Sequence, residues 1–161
     1  MAISFGGDFL VQRKPEDVFD FLCDPNRFGP LLPDFQRMTV QDETHFTVKV
    51  NVGISHIRGA AEIKMHRDES TRPVRAQYRG QGNVPGGNVN LIAGFDLAGE
   101  AGGTRVKWKG EAQIHGRLAS MAGGLLEPLG RKNVQKLIDG LQAALTVNSE
   151  GPKSPVPETK L

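Results

Sequence analysis

The side chains in this sequence that are best suited to catalysis are its histidines, and their spacing decides what they can do. General acid–base catalysis requires a histidine or a carboxylate whose pKa is perturbed inside the site. His45, His56, His66 and His115 all stand among the polar residues of runs in which polar and apolar residues alternate. Histidines in such positions are solvated more often than catalytic, so the pattern weighs against an enzyme.

The single cysteine does not complete a catalytic motif either. Cys23 lies in the segment FLCDP with no histidine beside it, which favours a small buried apolar residue over a nucleophile. The sequence contains no HExxH, no paired cysteines and no GxSxG, so metal-dependent and serine hydrolysis have no support. We therefore predict no catalytic residue, no metal site and no covalently bound cofactor. One cysteine cannot form an internal disulfide, which favours a reducing cytoplasm.

Alternation of polar and apolar residues also defines the elements that must position these side chains. Successive runs between residues 45 and 114 alternate with a period of two, as strands do, and turn-rich segments link them. The segment SFGGDFLV adds a first strand, so the pattern predicts an antiparallel meander. The apolar face of the runs comprises Phe46, Val48, Val50 and Val52; Ile57, Gly59, Ala61, Ile63 and Met65; Val74, Ala76, Tyr78 and Gly80; Val89, Leu91, Ala93, Phe95 and Leu97; and Val106, Trp108, Gly110, Ala112 and Ile114.

Helices are predicted on both sides of the meander. Pro15 and the acidic residues after it are typical of a helix start, and Pro25 ends that helix. One more turn is expected over residues 26–32. After the sheet, apolar residues recur at helical spacing up to Leu145, and Pro128 within that stretch predicts a kink or a break near residues 123–124.

The chain length favours a single domain. With 161 residues, one core is expected, because domains commonly contain on the order of 100 to 150 residues. The last residues, NSEGPKSPVPETKL, are rich in proline and poor in apolar side chains, so we predict a domain over 1–147 and a disordered tail over 148–161. The apolar runs are much shorter than the roughly 20 residues needed to cross a bilayer.

Small residues on the apolar face of the sheet predict an internal cavity. The chain contains 20 glycines, and several glycines and alanines fall on this one face. Since protein interiors are close-packed, space left by small residues usually belongs to a ligand. The alternative is that they bring the helix closer to the sheet or relieve its curvature. The hydroxyl of Tyr78 and the indole nitrogen of Trp108 are the hydrogen-bonding groups expected on this face, where they would orient a ligand.

The opposite face of the sheet is predicted to be basic. Such a surface suits an anionic membrane or an acidic partner, although an ordinary solvated face is the simpler interpretation. No aromatic residue stands between these charges, so stacking of nucleic-acid bases is not expected. The charged residues of this face are Lys49, Arg58, Lys64, Arg75, Arg79, Arg105, Lys107 and Lys109, with Glu62, Asp96 and Glu111.

Residues 2–145 resemble the carbon monoxide dehydrogenase G-subunit family, within the SRPBCC superfamily that includes START lipid-transfer domains and the birch pollen allergen. The resemblance rests on FGGDFLVQRKPEDVFDFLCDP, LLPDF, TVKVNVGISHIRGAAEIKM, GTRVKWKGEAQIHGRLASMAGGLL and the closing leucine-bearing helix. Asp34 is a departure, since the family commonly has glycine after the proline.

This resemblance implies an α+β helix-grip fold, in which a curved antiparallel sheet of six to seven strands wraps around a long C-terminal helix and an apolar cavity. It further implies a non-catalytic accessory protein beside a molybdenum-containing dehydrogenase. The implied task is recruitment to the inner membrane surface or handling of a lipophilic electron acceptor such as a quinone. The protein is then expected to be cytoplasmic, and peripheral at the membrane face.

From the sheet and the resemblance together, we predict a hydrophobic ligand-binding protein. Two alternatives stay open: a polyketide cyclase or hydratase, for which a bulge would have to turn Glu62 or Glu111 inward, and a ligand-free interaction module. The entrance is predicted at Leu31, Leu32, Pro33 and Phe35. The predicted ligand-binding residues are Phe9, Val50, Gly59, Ala61, Ala76, Tyr78, Gly80, Ala93, Phe95, Trp108, Gly110 and Ala112, under a helical lid of Leu118, Met121, Leu125 and Leu129.

Overall fold

The computed structural model describes residues 1–54 and 56–148, with the backbone alone for residues 121–123, 147 and 148. The tail predicted over 148–161 lies outside the described residues except for Asn148, which ends the last helix. In chain order, the elements are β1 (Ala2–Val11), α1 (Pro15–Leu22), α2 (Pro25–Phe28), a 3-10 turn (Gly29–Leu31), β2 (Phe35–Val40), β3 (His45–Ile54), β4 (Ile57–Thr71), β5 (Arg75–Val84), β6 (Gly87–Glu100), β7 (Gly103–Gly116) and α3 (Arg117–Asn148).

The seven strands form one antiparallel sheet in the order β1-β7-β6-β5-β4-β3-β2. Neighbours in the chain are neighbours in the sheet from β2 to β7, which confirms the meander predicted over residues 45–114 and extends it by β2, a strand that the alternation did not predict. Strand β1 closes the far edge by pairing with β7. The register places Phe9 opposite Val106 and Phe5 opposite Gly110, so apolar positions of the first strand continue the apolar face of the last. The curved sheet with its long C-terminal helix confirms the α+β fold class.

Helices α1 and α2 connect the first two strands and cover one end of the sheet. Helix α1 begins at Pro15, as predicted, with its buried residues Val18 and Phe21 packed into the core. The side chain of Asp24 accepts a hydrogen bond from the Asn26 backbone nitrogen at 3.0 Å, which caps α2. Residues 15–34 therefore form a compact cap over the sheet.

The cap ends at a left-handed residue, Asp34, whose φ is 57°. Glycine adopts this conformation without a steric penalty, whereas a residue with a Cβ is disfavoured in it. The Asp34 carbonyl accepts a hydrogen bond from the Asn51 backbone nitrogen at 2.9 Å, which fixes the turn against β3. Asp34 thus adopts the backbone conformation that glycine favours.

Helix α3 runs unbroken from Arg117 to Asn148, although Pro128 lies inside it. The break predicted near residues 123–124 does not occur. Its backbone is anchored at the start, where the Leu118 nitrogen donates to the Gly86 carbonyl at 2.9 Å. From there the helix crosses the inner face of the sheet.

Two clusters of buried apolar side chains pack beneath α3. The first cluster lies at the α1 end and includes Phe9, Val18, Tyr78, Phe95, Val106 and Leu145. The second cluster lies at the opposite end, beneath the first half of α3, and consists of Ile3, Ile54, Val89, Ile114, Leu118 and Leu126.

Candidate functional site

A cavity of about 560 Å³ separates the sheet from the middle of α3. The cap contributes Leu22, Phe28, Leu32 and Pro33 to its wall. The helix contributes Asn133, Val134, Leu137, Ile138 and Leu141, and the strands contribute mostly aromatic and aliphatic side chains. The wall is therefore almost wholly apolar, with a small number of polar groups, which is the usual chemistry of a small-molecule site.

About half of the residues predicted for the site line this cavity. Of the predicted entrance, Leu32 and Pro33 lie on the wall, whereas Leu31 and Phe35 do not. The predicted residues that the structure brings to the sheet side of the cavity are Phe9, Val50, Tyr78, Ala93, Phe95, Trp108 and Gly110.

The other small residues of the predicted site lie outside the cavity wall, because protein atoms fill the space around them. A Cβ on Gly80 would overlap the sulfur of Met65. Gly59 has a φ of 151° and lies against the ring of Pro85. Ala61 and Ala76 are 1% and 2% exposed. Ala112 packs on the second cluster.

Gly110 differs from these residues because it borders open space. A Cβ built there has no neighbour closer than 3.8 Å, and that neighbour is the carbonyl oxygen of Ile92. Gly110 and its register partner Ala93 both lie on the cavity wall. The absent side chain of Gly110 and the small one of Ala93 therefore account for part of the cavity.

The helical side of the cavity lies further along α3 than the sequence predicted. Leu118 and Leu129 pack on the second cluster, and Leu125 is 53% exposed; the side chain of Met121 lies outside the described residues. The start of α3 is anchored at Gly86, and the second cluster fills the space under the first half of the helix. The cavity therefore begins only beyond that half. The residues that face the cavity begin at Asn133.

Tyr78 is not available as a donor to a ligand. Its hydroxyl donates a hydrogen bond to the Leu22 carbonyl at 2.9 Å, and burial raises its pKa. The hydroxyl therefore holds the end of α1 against the sheet, and towards a ligand its oxygen can only accept a hydrogen bond.

Trp108 contributes an aromatic face to the wall, and its polar atom is buried. Among the described residues, its Nε1 has no hydrogen-bond partner. The ring lies against Gly7, where a Cβ would come within 3.0 Å of the indole. Glycine at this position therefore lets the indole pack closely on β1.

Arg67 is a residue of the inner face that sequence reasoning missed. It continues the alternation of Ile63 and Met65 along β4 and lies opposite Tyr78 in the register. Its guanidinium donates to the Cys23 carbonyl at 3.1 Å, so it satisfies a carbonyl at the C-terminal end of α1. The sequence could have shown its position, because the alternating run that contains Ile63 and Met65 continues to Arg67.

Cys23 itself is a half-buried neighbour of Arg67. Burial raises the pKa of its thiol, and the nearby guanidinium opposes that effect. A raised pKa leaves less thiolate, which is the nucleophilic form. Its surroundings are those of a packing residue.

Asn133 is the second residue that sequence reasoning missed. It lies on the cavity wall among apolar side chains of α3. The sequence did contain a sign of its position: leucines recur every four residues along this helix, and Asn133 takes the place of one of them. These leucines are Leu129, Leu137, Leu141 and Leu145.

On the outer face of the sheet, much of the predicted basic charge is paired. Arg105 contacts Glu100 at 2.8 Å and Asp8 at 3.6 Å. Arg75 and Arg79 likewise form ion pairs with acidic neighbours. The surface is therefore mixed in charge rather than uniformly basic.

The carboxylates considered for catalysis lie on this outer face. Glu62 and Glu111 are both exposed, and Glu111 borders a groove outside the sheet together with His66 and Arg79. Within residues 1–54 and 56–148, no three side chains of histidine, cysteine, aspartate or glutamate are arranged to hold a metal ion. None of the helices described is both long and apolar enough to cross a bilayer.

Comparison with protein families agrees with this architecture. The family model for the G subunit of carbon monoxide dehydrogenase (CoxG) matches residues 7–146. The chain belongs to the CoxG family. A search among curated proteins found no match.

The fold of this CoxG family member occurs in solved structures of low sequence identity. A conserved protein from Geobacillus kaustophilus has a TM-score of 0.79 at 15% identity, covering 92% of this chain and 97% of that one. A protein from Thermus thermophilus has a TM-score of 0.64 at 14% identity, with coverages of 91% and 99%.

A third similar structure is the di-domain ARO/CYC StfQ from the steffimycin biosynthetic pathway. Its TM-score is 0.68 at 10% identity, with 92% of this chain and 52% of that protein covered, so the CoxG chain spans about half of it. These similarities establish a common fold, and they confirm the helix-grip architecture.

Proposed function

We propose that this protein is a non-catalytic carrier that encloses a lipid-like or quinone-like molecule in the cavity under α3. The observation that carries the proposal is the cavity itself, with its volume of about 560 Å³ and its nearly complete apolar wall. Small-molecule sites typically have volumes of roughly 300 to 1,000 Å³ and bury most of the ligand surface. A hydrophobic molecule gains free energy by leaving water for such a wall.

The proposed setting follows from membership of the CoxG family. In this setting the protein is an accessory of a molybdenum-containing dehydrogenase at the cytoplasmic face of the membrane, where it delivers or receives a lipophilic electron acceptor. Leu32 and Pro33, which belong to the predicted entrance and line the cavity, would in this setting be the first residues to meet a ligand that leaves a lipid bilayer.

A cyclase is the second candidate, because StfQ shares the fold. Acid–base chemistry on a bound polyketide would need an ionisable group beside the ligand. Glu62 and Glu111 lie on the other side of the sheet, and the carbonyl-bound hydroxyl of Tyr78 has a raised pKa. This arrangement favours a carrier over a cyclase.

Filling the cavity from Gly110 tests the proposal directly. The substitution Gly110→Val adds atoms where a Cβ has room, so the fold should survive while the cavity shrinks. Binding of the neutral fluorescent probe N-phenyl-1-naphthylamine is expected to weaken by at least about tenfold, since forcing a ligand into an overpacked site costs about 1 to 3 kcal/mol. Ala60→Val, on the exposed side of β4, is the matched control and should bind like the wild type.

Equal binding by both variants, with unchanged circular dichroism, would contradict a carrier function for this cavity. The natural ligand is identified by solvent extraction of protein purified from its native host, followed by mass spectrometry for lipids and quinones. Co-purification of such a molecule with the wild type, and its loss from Gly110→Val, is the expected result. Its retention by Gly110→Val would place the ligand elsewhere.

A further inference from the structure

Asn133 is a polar residue placed on an apolar wall. It faces the cavity from α3, where its neighbours on the helix are Val134 and Leu137, and across the cavity the sheet presents Phe5 and Leu91. The side chain is partly buried. Apart from Lys109, the other side chains that line the cavity are apolar or aromatic.

The amide of Asn133 has no hydrogen-bond partner among the residues that the structure describes. The polar residues further along the helix do have partners: Gln135 donates to Asp139 at 2.9 Å and Gln142 to the Leu10 carbonyl at 3.0 Å. A primary amide offers two donors and one acceptor, so Asn133 brings unused hydrogen-bonding capacity to a wall that is otherwise apolar. A ligand in the cavity can supply the missing partner.

The position of Asn133 gives the cavity a polar and an apolar end along α3. Leu141 lies eight residues further along the helix, which corresponds to about 12 Å. Around Leu141 the wall consists of first-cluster residues such as Phe9 and Leu22. A ligand that satisfies Asn133 therefore extends its apolar part towards the cap.

The charge of the ligand follows from the rest of the wall. The cavity is lined by no carboxylate within the described residues, and Lys109, its one basic residue, is exposed to solvent. Moving a cation into such a cavity is costly because no carboxylate compensates it, and an anion could pair only with Lys109, which lies in solvent rather than in the apolar part of the wall. An uncharged carbonyl or hydroxyl group on the ligand does not incur the cost of burying a charge.

We infer that Asn133 is the specificity-determining residue of the cavity and selects an elongated apolar ligand that carries an uncharged carbonyl or hydroxyl at one end. The inference rests on the proposed carrier function, which it deepens by naming the ligand's chemical class. Its amide nitrogen donates to a carbonyl oxygen, or its amide oxygen accepts from a hydroxyl.

Naphthalene derivatives of one shape provide the test. The probes are 2-acetylnaphthalene, 2-naphthol, 2-methylnaphthalene and 2-naphthoate, with affinity measured by displacement of N-phenyl-1-naphthylamine. The wild type should prefer the ketone and the alcohol to the methyl compound, and should bind the carboxylate most weakly. The preference is expected to be about three- to tenfold, the usual range for one hydrogen bond.

Two substitutions at the same position separate the hydrogen bond from packing. Asn133→Leu keeps the size but removes the amide, so the ketone and alcohol should lose their preference while 2-methylnaphthalene binds as well as before or better. Asn133→Asp keeps the shape but replaces the donor by a carboxylate, so the ketone should weaken more than the alcohol. Gln135→Leu, on the exposed side of α3, is the matched control.

Failure of the inference and failure of the carrier function give different results. If all four probes bind the wild type and Asn133→Leu leaves their order unchanged, Asn133 does not select the ligand, and the carrier function stands. If N-phenyl-1-naphthylamine itself does not bind the wild type and none of the four probes binds, the cavity is not a ligand site, and both proposals are overturned. If it binds but none of the four probes displaces it, the inference about Asn133 is overturned and the carrier function stands.

Discussion

Two neighbouring regions of the inner sheet face have small residues for opposite reasons. Where β4 pairs with β5, a Cβ on Gly82 would overlap the Glu62 carbonyl oxygen, and one on Gly80 would overlap Met65. Where β6 pairs with β7, Gly110 faces open space beside Ala93. Glycine permits close packing in the first region and leaves a cavity in the second.

The difference shows that small residues alone do not locate a cavity. A small side chain creates space only where neighbouring side chains do not occupy it, and Met65 occupies the space above Gly80. Gly110 stays open because its register partners Phe5 and Ala93 leave the space above it unfilled. In the β6–β7 region, therefore, the small residues themselves border the cavity.

The largest expected effect comes from the substitution Gly82→Ala. Its methyl group collides with backbone atoms of β4, which cannot move aside as a flexible side chain can. We expect the free energy of unfolding to fall by about 2 to 3 kcal/mol, measured by urea denaturation. Gly110→Ala is the control, and its cost should stay below about 1 kcal/mol; equal costs at the two positions would show that Gly82 is not more tightly packed than Gly110.

The substitution Tyr78→Phe tests whether the packed region depends on its link to the cap. It removes the donor to the Leu22 carbonyl and leaves that buried acceptor unsatisfied. We expect a loss of about 1 to 2 kcal/mol in the free energy of unfolding. Probe binding at the β6–β7 side should persist. A stability equal to the wild type would show that water replaces the hydroxyl.

The substitution Asp34→Gly places glycine where the backbone conformation calls for it. Because Asp34 has a φ of 57°, removing its Cβ relieves steric strain, while the greater freedom of glycine in the unfolded chain offsets part of the gain. We expect a stabilisation of about 0.5 to 1 kcal/mol, seen as a higher Tm. Destabilisation would mean that the Asp34 side chain has a role beyond the turn.

The smallest expected effect concerns Asp42, in the exposed turn between β2 and β3. Its pKa is lowered from 3.8 to about 2 by the backbone hydrogen bond from Thr44 and by the imidazole of His45. Because the folded pKa lies below the unfolded one, the stabilisation is present above about pH 4 and disappears as the pH falls towards 2.

The variant Asp42→Asn measures this contribution. At pH 7 it should be slightly less stable than the wild type, and the difference should vanish near pH 2. Binding of the neutral probe at pH 7 should be the same in both proteins, because the turn lies outside the cavity. A difference in stability that grows on acidification would contradict the assignment.

Strands β1 and β3 to β7 and helix α1 could be predicted from the sequence because their signals are local, whereas β2 was not predicted as a strand. Alternation along 45–114 marks the meander, and Pro15 marks the start of α1. The continuity of α3 could not be predicted, because the effect of Pro128 depends on how the sheet supports the helix. The sequence rule that proline breaks a helix describes an unsupported helix.

The candidate site could be predicted only in part, because a cavity is defined by what fails to fill it. Ala93 and Gly110 were found from alternation, but Gly80 shows the same pattern and is covered by Met65. The helical side was placed too early, since the sequence does not show that α3 is anchored at Gly86. Asn133 is visible in the sequence only once the leucines around it are known to face inward.

The unbroken course of α3 has a consequence for how ligand binding is transmitted. The helix contains 32 residues, or about 48 Å, and it packs on the second cluster near its start and on the first cluster near its end, with the cavity between them. A ligand that bridges the sheet and the middle of α3 contacts a helix that is continuous between the two clusters, so amide hydrogen exchange should slow at both of its ends together.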